Sequence, residues 1–94
     1  MEKRIVLENS DYEAIASILD DSFTSVYIRK WNTDIEINYR LKTFWDYDDR
    51  TGYNKPRSFN LKVKSAICFD GDDVYEIDID ENKLYEFYRM EINL

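Results

Sequence analysis

Residues 34–47 alternate apolar and polar over fourteen positions, and this pattern constrains the fold more than any other feature of the chain. Ile35, Ile37, Tyr39, Leu41, Trp45 and Tyr47 fall on one side, with Thr43 the only polar member. Glu36, Asn38, Arg40, Lys42 and Asp46 fall on the other, with Phe44 the only apolar member. Successive strand residues point to opposite faces, so this is a long strand with one dry and one wet side. A sheet wetted on one face is an antiparallel one.

Three further segments extend the pattern. Val26–Trp31 reads as a strand, with a turn near Asn32, Thr33 and Asp34. Phe59, Leu61, Val63, Ile67 and Phe69 alternate after the polar loop 48–57, which holds the only proline. Asp70-Gly71-Asp72-Asp73 is an Asp-Gly hairpin turn, and Tyr75, Ile77 and Ile79 alternate beyond it. Lys3–Leu7 suits a short first strand. Ser10-Asp11-Tyr12-Glu13 fits a capping box that opens a helix from about Asp11 to Asp20. Tyr12, Ile15, Ile18 and Leu19 form its apolar stripe. The last segment is ambiguous. Leu84, Tyr88, Met90, Ile92 and Leu94 fit a strand, which is the reading favoured, whereas Leu84, Phe87 and Tyr88 fit a helical turn.

The expected architecture is one α+β domain over residues 1–94: a short N-terminal helix packed on a four- to five-stranded antiparallel meander. A helix laid across a curled meander is similar to the layout of cystatin-like folds, an analogy of fold that transfers no function.

Composition narrows the function classes. With an aromatic content of 16% and only two glycines and one proline, regular structure should dominate. The single cysteine, Cys68, excludes an intramolecular disulfide and suits a reducing, cytoplasmic setting in a bacterial or phage-infected cell. No apolar stretch at the start has the length of a signal peptide core, and none elsewhere spans a membrane. There is no histidine, so no Ser-His or Cys-His pair exists for nucleophilic catalysis. Cys68, on the expected wet face in acidic surroundings, would be a poor nucleophile. The expectation is a protein that is not an enzyme and carries no cofactor. Asp78, Asp80 and Asn82 match the first positions of an EF-hand loop. Lys83 and Arg89 then stand where that loop needs Gly and a bidentate acid, so no metal site is assigned.

The net charge of −7 is concentrated. Asp70, Asp72, Asp73, Glu76, Asp78, Asp80 and Glu81 lie in a window, 65–82, that contains no Lys or Arg. Such a strip repels nucleic acid and anionic membranes and attracts basic partners. Strand pairing through the 48–57 loop would bring Arg40 and Lys42 near Lys62 and Lys64. The acidic strand is expected to answer those charges at Lys64, through Asp78 or Asp80, which counts against direct nucleic-acid binding. The second candidate surface is the hairpin tip, where Trp45, Tyr47, Arg50 and Tyr53 are of the residue types that dominate interfaces.

Two functions fit. The first is a small protein-binding inhibitor of a basic, nucleic-acid-handling partner, with the acidic strip occupying its basic surface and the aromatic tip adding an anchor. It would be similar in type to anti-CRISPR proteins and to toxin-neutralising immunity proteins. The second is a structural module that forms a homodimer by adding strands at an open sheet edge.

Overall fold

A computed structural model describes residues 5–94. The elements are α1 (Asn9–Ile18), β1 (Ser25–Lys30), β2 (Thr33–Asp48), β3 (Tyr53–Asp70), β4 (Asp73–Glu76) and α2 (Glu81–Glu91). The four strands form one antiparallel meander in the order β1-β2-β3-β4. Both helices cover the same face of the sheet, giving an α+β fold of two layers. No helix among the described residues is long and apolar enough to cross a membrane.

The long strand of the sequence reading is β2. Ile35, Ile37, Tyr39, Leu41 and Thr43 are all buried beneath the helices. Their alternation with solvated residues holds this strand in register, because a slip of one would bury Glu36 and Arg40. Trp45 and Tyr47 continue the same face but are exposed, because the helical layer ends at Thr43.

β3 departs from the expected alternation. Asn38 pairs with Ser65 but Tyr39 pairs with Val63, so Lys64 is an extra residue in β3. This bulge reverses which residues face inward. Phe59 and Leu61 are buried on the near side of it, and Ala66 and Cys68 on the far side. Ile67 and Phe69, expected inside, lie on the outer face. Cys68, expected on the wet face, is fully buried. Burial is the main cause that pushes its thiol pKa up, with the Asp70 charge a lesser one.

The last segment is a helix, not the strand favoured from sequence. The Asp80 side chain accepts from the Lys83 backbone N–H at 3.2 Å, so the expected turn is a helix cap. Leu84 and Tyr88 are buried one helical turn apart, and Phe87 packs against the core beside them. Leu84, Tyr88, Met90, Ile92 and Leu94 all have even parity, which imitates strand alternation. That parity is irrelevant once the segment is helical, and Met90 is exposed.

The N-terminal region also shifts. α1 starts at Asn9 with Glu8 as N-cap, so the cap lies before Ser10 rather than on it. Asp11 supplies the reciprocal bond, accepting the Glu8 backbone N–H at 2.8 Å. Ile5 and Leu7 are buried in the core but belong to no strand. Lys3 and Arg4 of the expected first strand lie outside the described residues.

Polar ties fasten the layers. Tyr39 Oη donates to the Asp20 carbonyl at 2.8 Å. Tyr12 Oη accepts the Asp80 N–H at 2.9 Å, joining α1 to the start of α2. Lys30, at the inward end of β1, donates to Asp11 at 2.6 Å and pairs more distantly with Glu8. No buried side-chain polar atom among the described residues lacks a partner.

The molecule measures 58 × 21 × 19 Å along its principal axes. The helices cover only part of β2 and β3, and the rest of that strand pair projects as an arm.

Candidate partner-binding surfaces

The arm comprises residues 44–58. Its base is fixed at Thr43, where three elements converge. Thr43 N–H donates to Asp21 Oδ2 at 2.6 Å, and its hydroxyl donates to Asp21 Oδ1 at 2.8 Å. Tyr88 Oη donates to the same hydroxyl at 3.1 Å. On the adjacent strand Phe59 stacks on Tyr85 and meets Tyr88 edge-on. One residue further, Phe44 pairs with Ser58 and Trp45 with Pro56, leaving Arg57 as a second bulge. Bulges sharpen strand twist, and this one marks where the ribbon leaves the body.

Beyond it the ribbon has two different faces. Trp45 and Tyr47 continue the core face with nothing over them, at 53% and 64% exposure. The opposite face carries Phe44, Asp46, Asp48, Tyr53, Lys55 and Arg57. Arg57 pairs with Asp46 at 3.6 Å and lies over the Phe44 ring at 6.0 Å. Lys55 pairs with Asp48 at 3.6 Å. These exposed pairs add little stability, about 0–1 kcal/mol each, but they hold the ribbon in a defined register. Tyr53 is 73% exposed. At the tip, Asp48 Oδ1 accepts the Arg50 N–H, and Gly52 closes the turn with a left-handed φ of 72°. Arg50 is exposed there.

The acidic residues lie elsewhere. Asp70, Asp72 and Asp73 form the β3–β4 turn, closed by Gly71 with φ 60°. This turn sits at the opposite end of β3 from the arm tip. Eighteen residues at about 3.3 Å each separate the two by most of the molecular length. Glu76 lies on the outer face opposite Ile67. Asp78 is exposed. The last two acids have structural roles: Asp80 caps α2, and Glu81 Oε2 accepts the Val63 N–H at 3.0 Å, at a point on β3 that β4 does not reach. The seven acids are therefore not one surface, and neither group of them adjoins Trp45, Tyr47, Arg50 or Tyr53.

The expected neutralisation of the basic stripe is absent. Arg40 pairs with Lys62 across the ladder, with Lys42 and the bulged Lys64 beside them. β4 stops at Glu76, short of these residues. None of the ion pairs among the described residues involves Arg40, Lys42, Lys62 or Lys64. No described cluster of three or more Cys, Asp or Glu is placed to hold a metal.

Some exposed residues were not singled out as site candidates from sequence. Tyr27, Phe69 and Val74 are exposed apolar residues on the outer face of the sheet. Phe69 and Ile67 reach that face only because of the Lys64 bulge, which no local motif announces. Trp31 is an exposed residue of the β1–β2 turn with φ 52°, next to Asn32 at φ 62°. Both values suit a two-residue hairpin turn, yet a left-handed Trp costs about 1–3 kcal/mol. Lys30 Nζ sits 4.7 Å from the Trp31 ring centroid, which returns part of that cost.

Comparison of the chain with protein-family models, with curated proteins and with solved structures gives no match, so its function has to be read from these surfaces.

Proposed function

We propose that this protein is a protein-binding module whose anchor is the aromatic arm. Trp45, Tyr47 and Tyr53, with Arg50 at the tip, enter a groove on a partner protein. The acidic end, Asp70, Asp72, Asp73 and Glu76, is a separate charged surface that steers the complex toward a basic partner. In this reading the protein acts as an inhibitor of a nucleic-acid-handling effector, of the anti-CRISPR or immunity-protein type. The observation that carries the proposal is the exposure of three large aromatic rings on a rigidly based ribbon that projects past its own core. Monomers rarely present such residues together without an interaction to make.

The separation of the two surfaces shapes the reading. The arm supplies affinity through buried aromatic area, whereas the acidic turn acts on association rate and salt dependence. Capture from host lysate with wild type, Trp45→Ala/Tyr47→Ala and Asp72→Lys/Asp73→Lys tests it. The expected result is one stoichiometric partner, lost with the arm variant. With the acidic variant it is retained but becomes less sensitive to salt. Equal capture by the arm variant removes the anchor from the proposal.

Self-association through a sheet edge is the second reading. It is favoured by the lack of a neighbouring strand beside β2 beyond Asn38 and beside β3 before Ile67. Two features weigh against it. Asp21 occupies the β2 edge at Thr43, and Pro56 breaks the row of donors on β3.

A further inference from the structure

The outer face of the sheet carries two blocks of opposite charge that form no ion pair among the described residues, although Glu36 accepts a hydrogen bond from Tyr27 Oη at 3.2 Å and Asp34 stands opposite Arg29 of β1. One block is acidic: Asp34 and Glu36 on β2, with Glu76 on β4. The other is basic: Arg40 and Lys42 on β2, with Lys62 and Lys64 on β3. All of them share the face away from the helices, by the register of the ladders and by the bulge at Lys64. Between the blocks lies one neutral row, where Asn38 Nδ2 donates to Ser65 Oγ at 3.1 Å. The ion pairs among the described residues include none of these charges. Along β2 the blocks are too far apart to meet, since Glu36 and Arg40 are four residues, about 13 Å, apart.

This arrangement is self-complementary under one symmetry operation. Take a two-fold axis that lies between two facing sheets and runs across the strands at the Asn38–Ser65 row. It lays β2 of one copy over β2 of the other, reversed in direction. Glu36 then faces Arg40 of the second copy, and Asp34 faces Lys42. Two-fold symmetry repeats each pairing, so every one of these β2 charges is answered once and the interface holds four such contacts. On β3 the same operation sets the aliphatic stem of Lys62 over Ile67 of the other copy and Asn60 over its Phe69. Aligned sheets packed face to face stand about 10 Å apart, within the combined reach of Arg or Lys and a carboxylate side chain.

We infer that the outer face is a homodimer interface, in which a second copy of this chain packs sheet on sheet with the acidic block of each copy on the basic block of the other. The occupant is a second copy because the chain itself supplies both blocks at the matching two-residue spacing. The inference goes beyond the arm proposal and leaves the arm of each copy free, pointing in opposite directions.

Charge-swapped variants of the full chain test it by light scattering and sedimentation at low and high salt. Wild type is expected to form a dimer that salt weakens. Arg40→Glu/Lys42→Glu makes β2's outer face uniformly acidic, and Asp34→Lys/Glu36→Lys makes it uniformly basic. Each variant alone should dimerise at least about 10-fold more weakly than wild type, since like charges now face each other. Mixed one to one, they should form a heterodimer, because all four contacts become complementary. Circular dichroism of each variant alone checks folding, and recovery in the mixture cannot come from misfolded chains. A wild type that stays monomeric at low salt overturns the inference, as does a mixture that associates no better than its components. Binding of a single-stranded oligonucleotide by monomeric wild type, lost in Arg40→Glu/Lys42→Glu, would instead make the basic block a polyanion site and overturn it as well.

Discussion

Tyr39 and Tyr47 lie on the same strand, on the same face, eight residues apart. Tyr39 is 1% exposed and Tyr47 is 64% exposed. Tyr39 has both helices above it and a hydrogen bond to the Asp20 carbonyl, whereas Tyr47 has nothing above it. The body and the arm of this sheet share one alternation and differ only in whether a second layer covers it. Alternation states which residues belong together on a face. What covers that face is decided by elements far away in sequence, here α2 and the loop at Asp21.

The largest effect comes from removing the cover. Leu84→Ala in α2 should cost about 2–5 kcal/mol in denaturant-induced unfolding, because Leu84 is fully buried between the helices and the sheet. A loss below about 1 kcal/mol would mean that α2 does not close the core. Next in size is the boundary itself. Asp21→Ala strips the Thr43 backbone N–H and hydroxyl of their acceptor, at an expected cost of about 1–3 kcal/mol. It should also raise hydrogen exchange at Thr43 more than at Ile37; uniform exchange would remove the boundary role.

Alkaline pH should loosen the body and spare the arm. Burial is the main cause that raises the Tyr39 and Tyr88 pKa values. The hydrogen bond to Asp11 is the main cause that raises that of Lys30. A group whose pKa is raised on folding binds its proton more tightly in the native state. Its stabilisation is therefore complete below the unfolded value, near 10.0 for Tyr and 10.5 for Lys, and is lost as pH rises through the folded one. Melting temperature should fall above about pH 10, and less steeply in Lys30→Met than in wild type. Parallel slopes would assign the loss to the tyrosines alone. The smallest effect should be in the arm: Trp45→Ala should change stability by no more than about 0.5 kcal/mol. A larger loss would show that the ring is packed rather than presented.

Much of the fold was legible. The β2 alternation, the Asp-Gly turn at 70–73 and most of the amphipathic stripe (Tyr12, Ile15 and Leu19, but not Ile18, which is 42% exposed at the end of α1) follow from local chemistry and appear in the structure. Two errors have separate physical origins. In β3, one extra residue at Lys64 exchanged Ile67 and Phe69 for Ala66 and Cys68 in the core. A bulge satisfies the pairing of two particular strands, so it leaves no periodic trace in either one alone. In the C-terminal segment, Leu84, Phe87 and Tyr88 supported a helix and the even-numbered apolar residues supported a strand. Only docking against α1 and Phe59 decided between them.

The candidate surfaces divide in the same way. Sequence identified Trp45, Tyr47, Arg50 and Tyr53 as a tip, because a polar loop between two strands must project. It also identified the acidic strip, because seven acids without a base are visible in any arrangement. It could not tell that these lie at opposite ends of a 58 Å molecule, or that Asp80 and Glu81 are engaged in a helix cap and a strand edge.

By itself, then, the sequence determined β1 and β2, the sign of the β2 faces and the Asp-Gly turn at 70–73, all of which depend on neighbours within a few residues. The tertiary structure alone decided how far the helices reach along the sheet, and so which aromatic residues are core and which are arm. It also decided that the acidic and basic blocks of the outer face lie out of each other's reach. Both outcomes depend on distances between residues remote in the chain, and those exist only after packing has chosen one arrangement.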